Sequence, residues 1–202
     1  TGSVLKPLLY TSMLDEGYIL PHSLVADIPT QISGYAPQNF SNTFDGAVPA
    51  SCALSRSLNI PAIKVMQQYG IEKSITAAKK LGITTLDKQP SDYGLALAVG
   101  AAEVPLQEMT NAYAAFANNG NVRENTTIHE SKNKFNKTIF THSSKAKEGV
   151  SAAGAYLLTN ILADQNARSY MFGSSLNVPS KTVAVKTGTT DDNRDAWAIG
   201  YT

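Results

Sequence analysis

Thr182-Val183-Ala184-Val185-Lys186-Thr187-Gly188-Thr189 is the stretch on which the rest of the chain turns. Thr182 to Lys186 alternate as a strand does, and Ala196 to Tyr201 repeat the pattern after Asp191-Asp192-Asn193-Arg194, so two strands joined by a polar turn are predicted. The tripeptide K-T-G occurs once in the chain, where the first strand ends. Gly188 leaves the strand backbone open to close approach by a substrate, and the edge beyond it offers the Thr189 N–H as a donor.

Upstream of this strand the sequence is helical. A helix is predicted over about 151–164, and Pro105 to Asn119 is the clearest in the chain, with Leu106, Met109, Ala112, Tyr113 and Phe116 in step before Gly120. Residues 121–149 between them are polar and lack a period. Ile71, Ile75, Ala78 and Leu81 mark a helix ending at Gly82, and Pro61 suits the first turn of another running to Gly70. A residue before proline is pushed from the helical region, so a boundary is expected at Ser57-Leu58-Asn59-Ile60-Pro61. Pro49 to Arg56 read as a short helix and residues 17–48, rich in Pro, Gly, Asn and Ser, as loop with at most short strands. Leu5, Leu8, Leu9 and Met13 before Gly17 predict a first helix over about 3–16 with one buried face.

With 202 residues the chain can bury a substantial core. Its 17 basic and 16 acidic residues give a net charge of +1, which leaves no electrostatic footprint for nucleic acid and no polybasic membrane patch. Small molecules or peptides are the expected partners. Cys52 is the single cysteine, and it, His22, His129 and His142 have no zinc-site spacing, so no metal or cofactor is expected. No stretch approaches the roughly 18 apolar residues that span a bilayer. Thr1-Gly2-Ser3 enters an apolar helical pattern directly, and Trp197 to Thr202 stop inside a strand pattern, so both ends read as cut and any targeting segment is expected elsewhere.

Two further motifs stand upstream of K-T-G-T in order: Ser3-Val4-Leu5-Lys6 (S-x-x-K) and Ser57-Leu58-Asn59 (S-x-N). Each occurs three times, S-x-x-K also at Ser131/Lys134 and Ser144/Lys147, and S-x-N also at Ser131/Asn133 and Ser175/Asn177. Context selects among the copies. Ser3 and Lys6 lie one turn apart on one face of a helix start, whereas Ser131 and Ser144 fall in the aperiodic segment, where nothing holds a pair in geometry. Ser175 leaves no room for a helical layer before the Lys186 strand; Ser57 does. A serine hydroxyl is a weak nucleophile without a base, and a lysine serves only when neutral. Lys6 therefore needs a depressed pKa, which burial and a nearby cation such as Lys186 both supply. The N–H of Ser3 has no intrahelical acceptor and can face a developing oxyanion, with Thr189 as the second donor.

These three motifs resemble those of penicillin-binding proteins and serine β-lactamases. Gly2 to Pro7, Tyr35-Ala36-Pro37-Gln38-Asn39-Phe40, Ala53 to Ala62, Ala112 to Gly120 and Arg194-Asp195-Ala196-Trp197 look most like the 1C branch of the bifunctional class A synthases, over nearly the whole chain. The resemblance implies an α+β, β-lactamase/transpeptidase-like fold, an antiparallel sheet packed against helices and truncated at both ends. Residues 1–202 would be part of a transpeptidase domain, with a glycosyltransferase domain and membrane anchor upstream in the parent protein, at the outer face of the bacterial cytoplasmic membrane. It further implies a serine D-Ala-D-Ala transpeptidase that cross-links peptidoglycan stem peptides and is acylated by β-lactams. Ser3 would be the acylated nucleophile, Lys6 its base, Ser57 a proton relay and Asn59 a holder of the substrate amide. Lys186 with Thr187 or Thr189 would bind the substrate carboxylate. Val4 stands where class A motifs have a small polar residue, and its expected effect is small because it points from the catalytic face. Two other functions share the motifs. A β-lactamase needs a deacylating glutamate in a loop, and Glu103 and Glu108 belong instead to the helix region around Pro105; a β-lactam or wall-peptide sensor would bind without turnover.

Overall fold

The computed structural model describes residues 1–190 and 194–202, so the predicted turn Asp191-Asp192-Asn193 lies outside the described residues. A 3-10 turn, Gly2–Leu5, runs straight into helix α1, Lys6–Asp15. Next come β1 (Leu24–Asp27) and β2 (Gly46–Pro49), then α2 (Ala50–Ser55), α3 (Asn59–Tyr69) and α4 (Ile71–Lys80). The single turn α5 (Pro90–Tyr93) leads through a 3-10 stretch, Gly94–Val99, to α6 (Leu106–Ala117). Four short strands follow, β3 (Asn121–Val122), β4 (Glu130–Lys132), β5 (Thr138–Thr141) and β6 (Lys147–Glu148), before α7 (Ala152–Ala163), α8 (Gln165–Phe172), β7 (Ala184–Thr189) and β8 (Ala196–Tyr201). All pairings are antiparallel: β1 with β2, β3 with β6, β4 with β5, and β7 with β8.

α1 is the centre of the molecule. Its leucine stripe predicts one buried face, yet every residue but Ser12 and Asp15 is buried, because α7, α4, α3 and α2 surround it. A helix covered on nearly all sides can carry an apolar residue at almost any position, and Lys6 is the exception that needs a reason. α7 is fixed at its start by Ser151, whose hydroxyl accepts from the Gly154 N–H and donates to the Asp15 carboxylate at the end of α1. The β7–β8 pair packs on α7, on α6 and on the 3-10 turn, so the two ends of the described chain meet at one place. Tyr113 of α6 ties that junction together: its buried hydroxyl donates to the Val4 carbonyl at 2.9 Å, and its ring meets Phe116 edge-on.

The expected helix boundary falls within Ser57 to Pro61, and three details go beyond the sequence. α3 begins at Asn59, two residues before Pro61, so Ile60 is helical although a proline follows it. In a first turn the missing proline N–H costs nothing, and the Asn59 and Ile60 N–H groups are both taken up by the Asn39 side chain. The segment 121–149 is not structureless: it folds into two small strand pairs, with β5 exposed along its whole length, so no alternation of burial marked it. α8 was unforeseen because only Arg168 on it is buried.

Candidate active site

α2 ends in a tight cap. The Leu58 N–H reaches the Ala53 carbonyl at 2.9 Å and the Ser57 N–H the Leu54 carbonyl at 3.0 Å, the paired bonds that close a helix through a left-handed residue. That residue is Ser57, at φ +63°, a position where glycine is usual and any side chain costs roughly 1 kcal/mol. What the strain achieves is visible in its partners. Lys6 Nζ donates to the Ser57 carbonyl at 2.7 Å, and Lys186 Nζ donates to the Ser57 hydroxyl at 2.7 Å. One residue thus receives both lysines, one on its backbone and one on its side chain.

The two lysines differ in their remaining bonds. Lys6 Nζ also donates to Asn59 Oδ1 at 2.7 Å, and Lys186 Nζ to the Thr187 carbonyl at 2.8 Å. Lys6 is fully buried; that burial foremost, and the Lys186 charge beside it, hold its pKa well below the ordinary lysine value. Burial brings Lys186 down to about 7. A neutral amine has two N–H groups and one lone pair. In its neutral form Lys6 commits both N–H groups to Ser57 and Asn59, and the lone pair is then the unused valence. Among the described residues Ser3 Oγ, one helical turn away, has no hydrogen-bond partner and faces the cleft.

The turn that carries Ser3 lies against β7 with almost nothing between. A Cβ on Gly188 would stand 2.7 Å from the Thr1 carbonyl oxygen and 2.8 Å from the Val4 N, and one on Gly2 would stand 2.6 Å from the Thr189 carbonyl oxygen. The bare backbone of Gly188 thus admits the 3-10 turn on the side where a Cβ would stand, while Gly188 also borders the cleft. Val4 is wholly buried in this contact, facing β7 as expected for a side chain turned from the cleft. The Thr190 N–H donates to the Asp195 carbonyl, so by the alternation of an antiparallel ladder the Thr189 N–H points to the opposite edge of β7, the side of the Ser3 turn.

Above these groups opens a cleft of about 560 Å³. Ser3, Ser57, Asn59, Thr187, Gly188 and Thr189 line it, and Lys6 and Lys186 lie buried beneath through their bonds to Ser57, so all eight candidate residues come to one place. The other motif copies do not: Ser131 is on β4 in the exposed hairpin, and Asn177 accepts a hydrogen bond from buried Arg168. Asn59 differs from expectation in one respect, since its Nδ2 donates to the Gln38 carbonyl at 2.9 Å within the protein. Among the described residues that line the cleft none is aspartate or glutamate, and Glu108 is turned away to accept hydrogen bonds from Thr84. Its far side is apolar, with Phe40, Met171 and Phe172, and holds Arg56, which pairs with Asp45 at 3.1 Å and stacks on Tyr170. Asn39, Phe40, Met171 and Phe172 were not singled out as site residues because they sit in aperiodic loop or on a polar helix; Asn39 and Phe40 entered only within the Tyr35 to Phe40 stretch that carries the family resemblance.

Comparisons with known proteins give the chain's family and fold. The family model described as penicillin binding protein transpeptidase domain matches residues 1–202. Penicillin-binding protein 1C of Escherichia coli (strain K12) is 34% identical over 201 residues, which cover 98% of this chain and 24% of that protein. The chain thus spans about a quarter of the length of that relative. Among solved structures, PonA1 from Mycobacterium tuberculosis in complex with penicillin V superposes with a TM-score of 0.85 at 23% identity, over 100% of this chain and 57% of that one. Penicillin-binding protein A from M. tuberculosis, as an imipenem acyl-enzyme complex, gives 0.82 at 18% identity, over 99% and 51%. These likenesses carry the α+β fold, and the match along the whole chain carries the descent: this chain belongs to the penicillin-binding protein transpeptidase family.

Proposed function

We propose that the chain is the catalytic part of a serine D-Ala-D-Ala transpeptidase, with Ser3 as nucleophile. The observation that carries the reading is the convergence of Lys6 and Lys186 on Ser57, next to a cleft that Ser3 lines. Lys6 takes the Ser3 proton as Oγ attacks the carbonyl of the penultimate D-Ala, and the Ser3 and Thr189 N–H groups receive the oxyanion. Collapse breaks the amide C–N bond. The proton passes through the Ser57 hydroxyl to the departing D-Ala amine, and an ester to Ser3 remains. A stem-peptide amine then attacks the ester and gives up a proton to Lys6, the Ser3 Oγ–C bond breaks, and Lys6 passes that proton back to Ser3 Oγ. Lys186, with Thr187 or Thr189, binds the donor's terminal carboxylate, and Asn59 borders the substrate amide. A β-lactam follows the first half of this path, its ring C–N bond being the one that breaks.

The parent protein is proposed to carry a glycosyltransferase domain and membrane anchor upstream, and to work at the outer face of the bacterial cytoplasmic membrane on peptidoglycan stem peptides. Neither nucleic acid nor a cofactor enters the scheme. The β-lactamase alternative lacks support among the described cleft residues, where no carboxylate stands ready to activate a deacylating water. A sensor without turnover is distinguished by experiment. Full-length protein given a peptide ending in D-Ala-D-Ala and an acceptor amine should release one D-Ala for each new amide bond. Covalent penicillin labelling without any D-Ala release would instead establish a sensor, and rapid hydrolysis of the penicilloyl ester a β-lactamase.

A further inference from the structure

Asn39 is buried, 20 residues before Asn59 of the S-x-N motif, and every hydrogen-bonding capacity of its side chain is used. Its Oδ1 accepts the Asn59 N–H at 2.8 Å and the Ile60 N–H at 3.3 Å. Its Nδ2 donates to the two carboxylate oxygens of Asp27 at 2.8 and 3.0 Å, and to the Thr43 carbonyl at 2.9 Å. Asp27 has no exposed surface, and its Oδ2 also accepts the Asp45 N–H at 2.8 Å. A carboxylate can only accept, so it dictates which end of the amide faces it. Flipping Asn39 would set its carbonyl against Asp27 and its NH2 against two N–H groups. Asp27 thereby forces Oδ1 toward the start of α3.

A cap for stability alone would come from the residue next to the helix, but Leu58 has no side-chain acceptor to offer. The neighbouring Gln38 carbonyl takes the Asn59 Nδ2, so residues 38 and 39 hold Asn59 by its backbone and by its side-chain amide together. With Nδ2 held there, Oδ1 points at Lys6. The lone pair of Lys6 is aimed by its two acceptors, Asn59 Oδ1 and the Ser57 carbonyl, and one of the two is thus set from β1 and its following loop.

We infer that Asn39, oriented by Asp27, is a positioning residue for acylation, which aims Lys6 by fixing Asn59. The inference rests on the proposed transpeptidase reading. It is tested on the full-length protein by the second-order rate of labelling with a fluorescent penicillin from pH 6 to 9, with thermal melting alongside. Asn39→Ala should melt cooperatively yet label about 100-fold more slowly, the scale of loss for a catalytic group displaced by about 1 Å. Asn39→Asp opposes two carboxylates and should be slower still, with the acid limb of its pH profile moved upward by the added negative charge near Lys6. The exchange Asp27→Asn with Asn39→Asp restores donor against acceptor and should recover at least about tenfold of that rate. If Asn39→Ala does not fold, Asp27→Asn alone frees the amide and should slow labelling. Folded variants that label within twofold of the unsubstituted protein, with an unmoved pH profile, overturn the inference. No labelling of the unsubstituted protein overturns the transpeptidase reading itself.

Discussion

Ser57 holds its φ of +63° at a cost that glycine would remove, and it keeps the hydroxyl that glycine lacks. Ser57→Gly and Ser57→Ala lose the same bond from Lys186, so their difference isolates the backbone. The glycine variant should be more stable by about 1 kcal/mol in chemical denaturation. Penicillin labelling of both should fall by about 100-fold or more, the range for a proton-transferring group. Equal stabilities would show that the left-handed turn is unstrained. Ser57 and Asn59 were legible not from the S-x-N spacing, which recurs at Ser131 and Ser175, but from their place between two helices upstream of the Lys186 strand. The strain was not legible, since a left-handed cap is normally announced by glycine. Asn39 was illegible for another reason: its work is done on Asn59 and Ile60 across a loop, where no periodicity records the pairing.

At the scale of elements, the contact that matters most for Ser3 is its turn against β7. Gly188→Ala places a methyl carbon 2.7 Å from the Thr1 carbonyl oxygen and 2.8 Å from the Val4 N, both backbone atoms with little room to retreat. The variant should lose about 1–3 kcal/mol and label more slowly, because the turn that holds Ser3 is pushed from the Thr189 edge. Unchanged melting and labelling would mean that the strand and turn are not rigidly joined. α6, α7 and β8 were legible because their burial follows the period of the element, whereas β7 is buried at Ala184, Val185 and Lys186 in succession and was legible from its β-branched sequence. α1 was legible as a helix but not as the central one. A stripe at Leu5, Leu8, Leu9 and Met13 reads the same whether or not other helices also cover Tyr10 and Leu14. β4, β5 and α8 leave most of their side chains in water, so nothing in their sequence distinguishes them from loop.

For the molecule as a whole, the buried lysines make stability depend on pH with a definite sign. Lys186 binds its proton with a pKa of about 7 when folded. The unfolded chain, near 10.4, holds that proton throughout the interval between, so stability rises with pH from 7 to 10 by about 1.4 kcal/mol per unit from this group. Lys6, also lowered, adds in the same direction. Above pH 10 the trend reverses: Tyr10, Tyr69, Tyr113 and Tyr201 are raised, chiefly by burial, so the unfolded chain loses their protons first. Urea midpoints at pH 7, 8 and 9 should climb in the unsubstituted protein and climb less steeply in Lys186→Met. A slope unaltered by the substitution would place the Lys186 charge in solvent.

The proposed function stands on one bond, an ester to Ser3. Intact-mass measurement after incubation with penicillin, followed by proteolysis, should show a single added penicillin mass on the peptide that contains Ser3, and none in Ser3→Ala that still melts cooperatively. An adduct that persists in Ser3→Ala, or that maps to any other residue, would contradict the assignment of Ser3 as the nucleophile.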